Sequence, residues 1–217
     1  MKEYHKIPTL YKFNNETKKY DPEFTSPELK YLAPLPWLGS EKVDGTNIRV
    51  HWGGHHFEFG GRTDNAQLPK EVVALLDAKF DYDMEIYFEQ TFGQKEVMLY
   101  MEAYGGKIQT KAGYGGSERL IGYDMEINGY MLYPYVADEI FNSLGINTVT
   151  RYLFNNLSEA IAFVEKERVS ELANTPMEGV VCVPVTPLYN RDGERIIVKI
   201  KTKDLKKRDF EKFSQIS

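Results

Sequence analysis

Apolar residues recur with two different periods in this chain, and each change of period marks an element boundary. A spacing of three to four predicts helices over 68–80 ("LPKEVVALLDAKF"), 134–145 ("PYVADEIFNSLG", stopped by Gly145), 158–169 and 202–213. Strict alternation predicts strands over 45–52, 55–62, 95–104, 119–127, 178–185 and 194–201. Together they predict an α+β fold with mostly antiparallel sheets. The Pro-rich "LAPLPWLGS" at 32–40 reads as a loop, and no repeat or linker interrupts residues 1–217, which read as a single domain.

The first two strands carry a register prediction. Gly53-Gly54 between alternating runs reads as a two-residue hairpin turn, pairing Trp52 with His55. Val50 then faces Phe57 and Ile48 faces Phe59 on an apolar side, while Arg49 faces Glu58 and His51 faces His56 on the other. His55 falls on the opposite face, which argues against a metal shared by the three histidines. Extended further, the register brings Arg62 beside Gly45 and thus close to Lys42.

Composition narrows the class. With 42% hydrophobic and 27% charged residues, 15 Tyr and 12 Phe, the chain is globular and rich in rings for packing or base stacking. The single cysteine, Cys182, cannot form an internal disulfide, which places the chain in a reducing compartment, the cytoplasm or a host's cytoplasm if the source is viral. The start lacks the apolar core of a signal peptide, and no run of about 18 apolar residues suggests a membrane span. The net charge of −5 argues against a protein coated by nucleic acid. Residues 199–212 nevertheless hold seven basic and three acidic residues, a local +4 that leaves −9 elsewhere and suggests a localised polyanion footprint.

Candidate chemistry sits on polar residues set into apolar strands. In "EKVDGTNIRV" a lysine, Lys42, immediately precedes an Asp-Gly turn, with Asn47 five residues later. Glu102 interrupts "VMLYMEAYGG", Tyr123 follows Gly122 in "LIGYDMEI", and Glu178 opens "EGVVCVPV". In "RIIVKIK" Lys199 and Lys201 share one face by the period of two, and two such cations are costly unless they meet an anion.

The order of these features, from KxDG through a later arginine, a glutamate, an aromatic-Asp pair and EGVV to KIK, resembles the motif series of covalent nucleotidyltransferases. With "KVDGTN" matching KxxGTN, it is similar to the ATP-dependent RNA ligases of the phage RNA ligase 2 type, from Lys42 to Lys201. The resemblance implies a nucleotidyltransferase (ATP-grasp-like ligase) domain of antiparallel sheets flanked by helices. It implies that Lys42 takes AMP from ATP as a phosphoramidate, Arg62 contacts the sugar-phosphate, Glu102 binds the ribose and Tyr123 stacks on adenine. It further assigns Glu178 to a divalent metal, Mg2+ or Mn2+, Lys199 and Lys201 to the α-phosphate, and Asn47 to positioning the phosphate or a metal-bound water. The implied substrate is RNA with 5′-phosphate and 3′-hydroxyl ends, with DNA or an RNA–DNA hybrid left open.

An attacking amine must first lose its proton. Neighbouring cations at Lys199, Lys201 and Arg62 favour that loss, whereas Glu102 and Glu178 oppose it until a metal neutralises them. Family members append a further domain, often of OB type, but only sixteen residues follow Lys201. The expectation is a chain without that domain, its work falling to the basic tail, to a protein partner or to no element at all. The competing readings are a DNA ligase or mRNA-capping guanylyltransferase core, and a non-catalytic nucleotide- or RNA-binding module.

Overall fold

The computed structural model describes residues 1–215. Strands β1 (Tyr11–Asn14) and β2 (Lys19–Phe24), helix α1 (Pro27–Leu32) and strand β3 (Trp37–Glu41) come first. Next are β4 (Thr46–Trp52), β5 (Phe57–Gly60), α2 (Lys70–Lys79), α3 (Tyr82–Phe92), β6 (Val97–Tyr104) and β7 (Arg119–Ile127). Then follow β8 (Tyr130–Met131), α4 (Pro134–Ser143), β9 (Asn147–Thr148), β10 (Arg151–Phe154) and α5 (Leu157–Glu165). The chain ends with β11 (Gly179–Pro184), β12 (Val198–Lys201), α6 (Thr202–Leu205) and α7 (Phe210–Phe213). This is the mixed fold with antiparallel sheets that the periodicity predicts.

The chain divides into two compact units. The first comprises Met1–His5 and Val43–Val149; the second comprises Lys6–Lys42 and the chain from Thr150 onward. In the first unit β5-β4-β6-β7-β8 form a sheet, with β9 pairing in parallel with β7. Val72 and Leu76 of α2, Phe88 and Phe92 of α3 and Phe141 of α4 pack on Ile48, Val50, Leu99 and Met101 of that sheet. Gly122 on β7 serves this packing, because a Cβ there would lie 2.6 Å from the Phe141 ring. Its missing side chain therefore admits α4 rather than leaving Tyr123 approachable.

The β4–β5 register departs from expectation by two residues. Trp52 pairs with Phe57, Val50 with Phe59 and Arg49 with Gly60, so the connection is Gly53–His56. Ring packing selects it: Phe57 lies 5.2 Å from Trp52 and 4.8 Å from Phe88, burying an aromatic cluster that a two-residue turn would displace. A shift of two preserves the alternation of faces. Pairing then stops at Gly60, because the fully buried Arg49 guanidinium draws off the following chain. It donates to Gly61 O at 2.6 Å, to Met1 O at 3.0 Å and to Asp64 Oδ1 at 2.9 Å. Arg49 thus does not partner Glu58, which instead meets His51.

In the second unit β10-β3-β11-β12 form an antiparallel sheet, and β1-β2 form a separate ribbon. Trp37, Val180, Cys182, Val198 and Ile200 join Leu157, Ala160 and Val164 of α5 in its core. Strand β3 occupies part of the stretch read as a loop; Trp37 is buried there despite its flanking prolines. The helix expected over 202–213 is two short pieces. Between them Tyr20 N donates to Lys207 O and Asp209 N to Tyr20 O, both at 2.9 Å, so the backbone pairs with β2 instead of continuing the helix. The tail's cations are largely paired within this unit: Lys206 with Glu167 at 2.8 Å, Lys212 with Asp21 at 2.7 Å, and Arg208 with Glu165. Among the described residues no helix is long and apolar enough to cross a membrane.

Candidate active site

The second unit gathers four of the expected residues at one end of its sheet. Strand β3 pairs with β11 through Val180 opposite Glu41, and Lys42 N donates to Gly179 O at 2.9 Å. Gly179 also faces Lys201 on β12, where a Cβ would fall 2.1 Å from Ile200 O. Only glycine allows the two strands this approach, which is why Glu178, one residue before it, lies between two lysines. Lys42 Nζ donates to Glu178 Oε2 at 2.7 Å, and Lys201 Nζ lies 3.6 Å from Glu178 Oε1. Lys201 is also 4.0 Å from Asp204. Lys199 lies on the same face of β12 as Lys201, opposite Val181, with its backbone N–H held by Pro8 O at 3.0 Å.

Burial sets the electrostatics here. It pushes the Lys201 ammonium below the ordinary lysine value, against the Asp204 and Glu178 carboxylates, which act the other way. Immediately before Lys42, the buried Glu41 carboxylate accepts hydrogen bonds from the Ser170 hydroxyl and from Glu171 N at 3.0 Å. This anchor fixes the end of β3, and sequence reading missed it because Glu41 looks like any strand-end charge.

The first unit assembles a second group. Asn47 on β4 is the cross-strand partner of Glu102 on β6. On the other side of β6 the pairing slips between Tyr100 and Met101, leaving Tyr123 as the extra residue of a bulge. Asn47 Nδ2 donates to the Tyr123 hydroxyl, while Asn47 Oδ1 is buried with no hydrogen-bond partner among the described residues. Burial, then the Glu102 and Asp124 carboxylates, holds the Tyr123 phenol well above its usual range, so it stays protonated.

The turn after Lys42 is fixed in the same unit. Gly45 N donates to Glu102 Oε1 at 3.2 Å and Asp44 N to the Tyr114 hydroxyl at 3.0 Å. A Cβ on Gly45 would lie 2.2 Å from Ala103 O, so this glycine serves close packing on β6. Tyr4 was not singled out from the sequence, yet its ring lies 5.4 Å from that of Tyr123 and its hydroxyl donates to Asp124. Arg62, past the end of β5, is exposed. The expected pairing beside Gly45 is absent because β5 ends at Gly60.

No group of three or more His, Cys, Asp or Glu side chains able to hold a metal occurs among the described residues. In the second unit's group the Glu178 carboxylate offers hard oxygen ligands. Such oxygens suit a cation that takes one protein carboxylate and completes its shell with phosphate and water.

Comparison with known proteins places this architecture. Its fold is that of RNA ligase nucleotidyltransferase domains. A Naegleria gruberi RNA ligase solved with pyrophosphate is 14% identical and covers 95% of this chain and 62% of that one, at a TM-score of 0.65. A mutant of the same ligase with ATP and Mn is 15% identical over 92% of this chain and 59% of that one, also at 0.65. Another mutant, with AMP and Mn, is 16% identical over 92% and 60%, at 0.64. The chain thus spans about three fifths of the length of the solved structures it matches. The family model for RNA ligases matches residues 35–201, and the chain belongs to that family. No curated protein sequence matches it.

Proposed function

We propose that this chain is an ATP-dependent RNA ligase that works through an adenylylated lysine. The observation that carries the reading is the Lys42 ammonium 2.7 Å from Glu178, with Lys201 on the other oxygen of the same carboxylate. Family membership and the nucleotide-bound relatives support it.

Lys42 Nζ donates to Glu178 Oε2 at 2.7 Å. Attack requires the free amine, so Glu178 must exchange this partner when ATP arrives. The amine nitrogen then forms a bond to the α-phosphorus, the bond to the β-phosphate oxygen breaks, and pyrophosphate leaves. Lys199 and Lys201 supply the positive charge that meets the α-phosphate, stabilising charge as it develops. Tyr123 provides a neutral ring for adenine, fixed at its hydroxyl by Asn47; Glu102 faces the ribose, and Arg62 contacts the sugar-phosphate.

A divalent cation, Mg2+ or Mn2+, would be held by Glu178, and it supplies neutralisation of the pyrophosphate leaving group. In the later steps a 5′-phosphate of RNA accepts the adenylate, and a 3′-hydroxyl displaces AMP to seal the strand. We take the whole of 1–217 as one functional adenylyltransferase and the cytoplasm as its place of action.

Intact-mass measurement with ATP and Mg2+ tests the reading. The expected result is a gain of one adenylate, absent from Lys42→Ala, followed by sealing of 5′-phosphorylated RNA. Uptake from GTP instead of ATP would assign a capping-type reaction, and equal masses for wild type and variant would remove the enzyme reading.

A further inference from the structure

The loop between β6 and β7 is not required to connect two adjacent antiparallel strands, which two residues can join. Instead it is long, tied to itself and rich in glycine. Gly105, Gly106, Gly113, Gly115 and Gly116 all adopt positive φ. At Gly105 a side chain has no room, since a Cβ would lie 2.6 Å from Ser117 O and 2.9 Å from Gly115 O. Gly106 N donates to Gly115 O at 3.2 Å and Lys107 N to Glu118 Oε1 at 3.0 Å, closing the loop at its base. The Arg119 guanidinium lies 4.6 Å above the Tyr104 ring and donates to Tyr114 O and Gly115 O, each at 3.4 Å.

This loop carries one buried ring outward from its base. Tyr114 packs edge-on against Tyr104, with centroids 5.3 Å apart, and its hydroxyl accepts the Asp44 amide at 3.0 Å. Phenylalanine would fill the same space against Tyr104. The hydroxyl is therefore what the contact with Asp44 requires.

We propose that Tyr114 is a positioning residue for adenylyl transfer, anchoring the Asp44–Gly45 turn that leads directly from Lys42. The inference rests on the reading of Lys42 as the nucleophile. Two acceptors hold the turn, Glu102 Oε1 at Gly45 and the Tyr114 hydroxyl at Asp44. Glu102 is also the residue assigned to the ribose, so a bound nucleotide competes for it. Tyr114 is not among the residues assigned to the nucleotide, so its hydrogen bond to Asp44 N can hold the turn through the reaction. Because in-line attack depends steeply on alignment, loosening the anchor lowers rate more than affinity.

The test compares Tyr114→Phe with wild type in single-turnover adenylate uptake from ATP, alongside amide hydrogen exchange of the unreacted protein. The expected result is a maximal rate about tenfold lower, a half-saturating ATP concentration unchanged within about twofold, and faster exchange at the Asp44 amide. A variant reacting at the wild-type rate overturns the Tyr114 assignment while leaving Lys42 as nucleophile. A variant that has lost its cooperative unfolding transition assigns Tyr114 to the core and overturns it too. A wild type that takes up no adenylate overturns the proposed function along with this inference.

Discussion

The two groups of candidate residues are held by different forces. In the second unit Lys42, Glu178, Lys201 and Asp204 form a run of alternating charge, with separations from 2.7 to 4.0 Å. In the first unit Asn47, Tyr123, Gly45, Glu102, Asp44 and Tyr114 are joined by directed hydrogen bonds and ring packing. Charge acts over distance and tolerates exchange of partners, whereas a hydrogen bond fails once its angle or length is lost. The first arrangement is suited to giving up one counter-charge for another, and the second to holding a shape.

The largest test of this contrast is Glu178→Ala. It removes the charge shared by two lysines and should lower adenylate uptake about 10²–10³-fold, the range for deleting one electrostatic contact to a reacting group. Single-turnover labelling measures this, and a near-wild-type rate would mean that the charge run is not used. On the packed side, Gly122→Ala forces a methyl toward Phe141 and should destabilise the fold by about 1–3 kcal/mol. The urea midpoint reads that change; an unchanged midpoint would show that α4 shifts freely on β7.

Smaller effects separate the two groups further. Tyr123→Phe keeps the ring but strands the Asn47 amide, a loss of about 1 kcal/mol, or about fivefold in half-saturating ATP. An effect on maximal rate alone would place Tyr123 elsewhere in the reaction.

Alkali should destabilise both units, because phenols held above their ordinary value by burial lie in each. Burial, followed by the charge of Asp204 and a hydrogen bond to it, pushes the Tyr20 phenol up from 10.0 to about 12. A raised folded value means stability present below pH 10 and lost between pH 10 and about 12. Tyr20→Phe should flatten that part of the stability profile by at most about one proton's slope. Denaturant midpoints taken across this range decide it, and identical slopes would remove Tyr20 from the linkage.

Much of this molecule was legible in its sequence, for a reason visible in particular residues. Glu102, Lys199 and Lys201 stand out because each is a charge set into an apolar strand of period two, and Glu178 because it directly precedes one; those strands form as β6, β12 and β11. Helices α2, α4 and α5 were legible from the spacing of Val72 with Leu76, Ala137 with Phe141, and Ala160 with Val164. Helix α3 was not, because its face is made of aromatics such as Phe88 and Phe92 that also suit strands. Its one local signal was the Asp81 cap, which accepts from Met84 N.

The hairpin register escaped for a different reason. Gly53-Gly54 is sufficient for a tight turn, but Trp52, Phe57 and Phe88 come together only when the tertiary core forms. The same holds for Tyr4, Glu41 and Tyr114, whose partners Asp124, Ser170 and Asp44 lie far away along the chain. Nothing local distinguishes such residues from ordinary surface tyrosines and acids.

The internally paired tail has a bearing on how salt should act. Neutralising a phosphate releases condensed counterions only when the protein's cation was available to take their place. Lys206, Arg208 and Lys212 already have carboxylates beside them. Their engagement by a polyanion would trade one ion pair for another, with little entropy gained from the ionic atmosphere. The dependence of RNA affinity on ionic strength is therefore expected to be far shallower than the seven basic residues of 199–212 would suggest if all of them met phosphates.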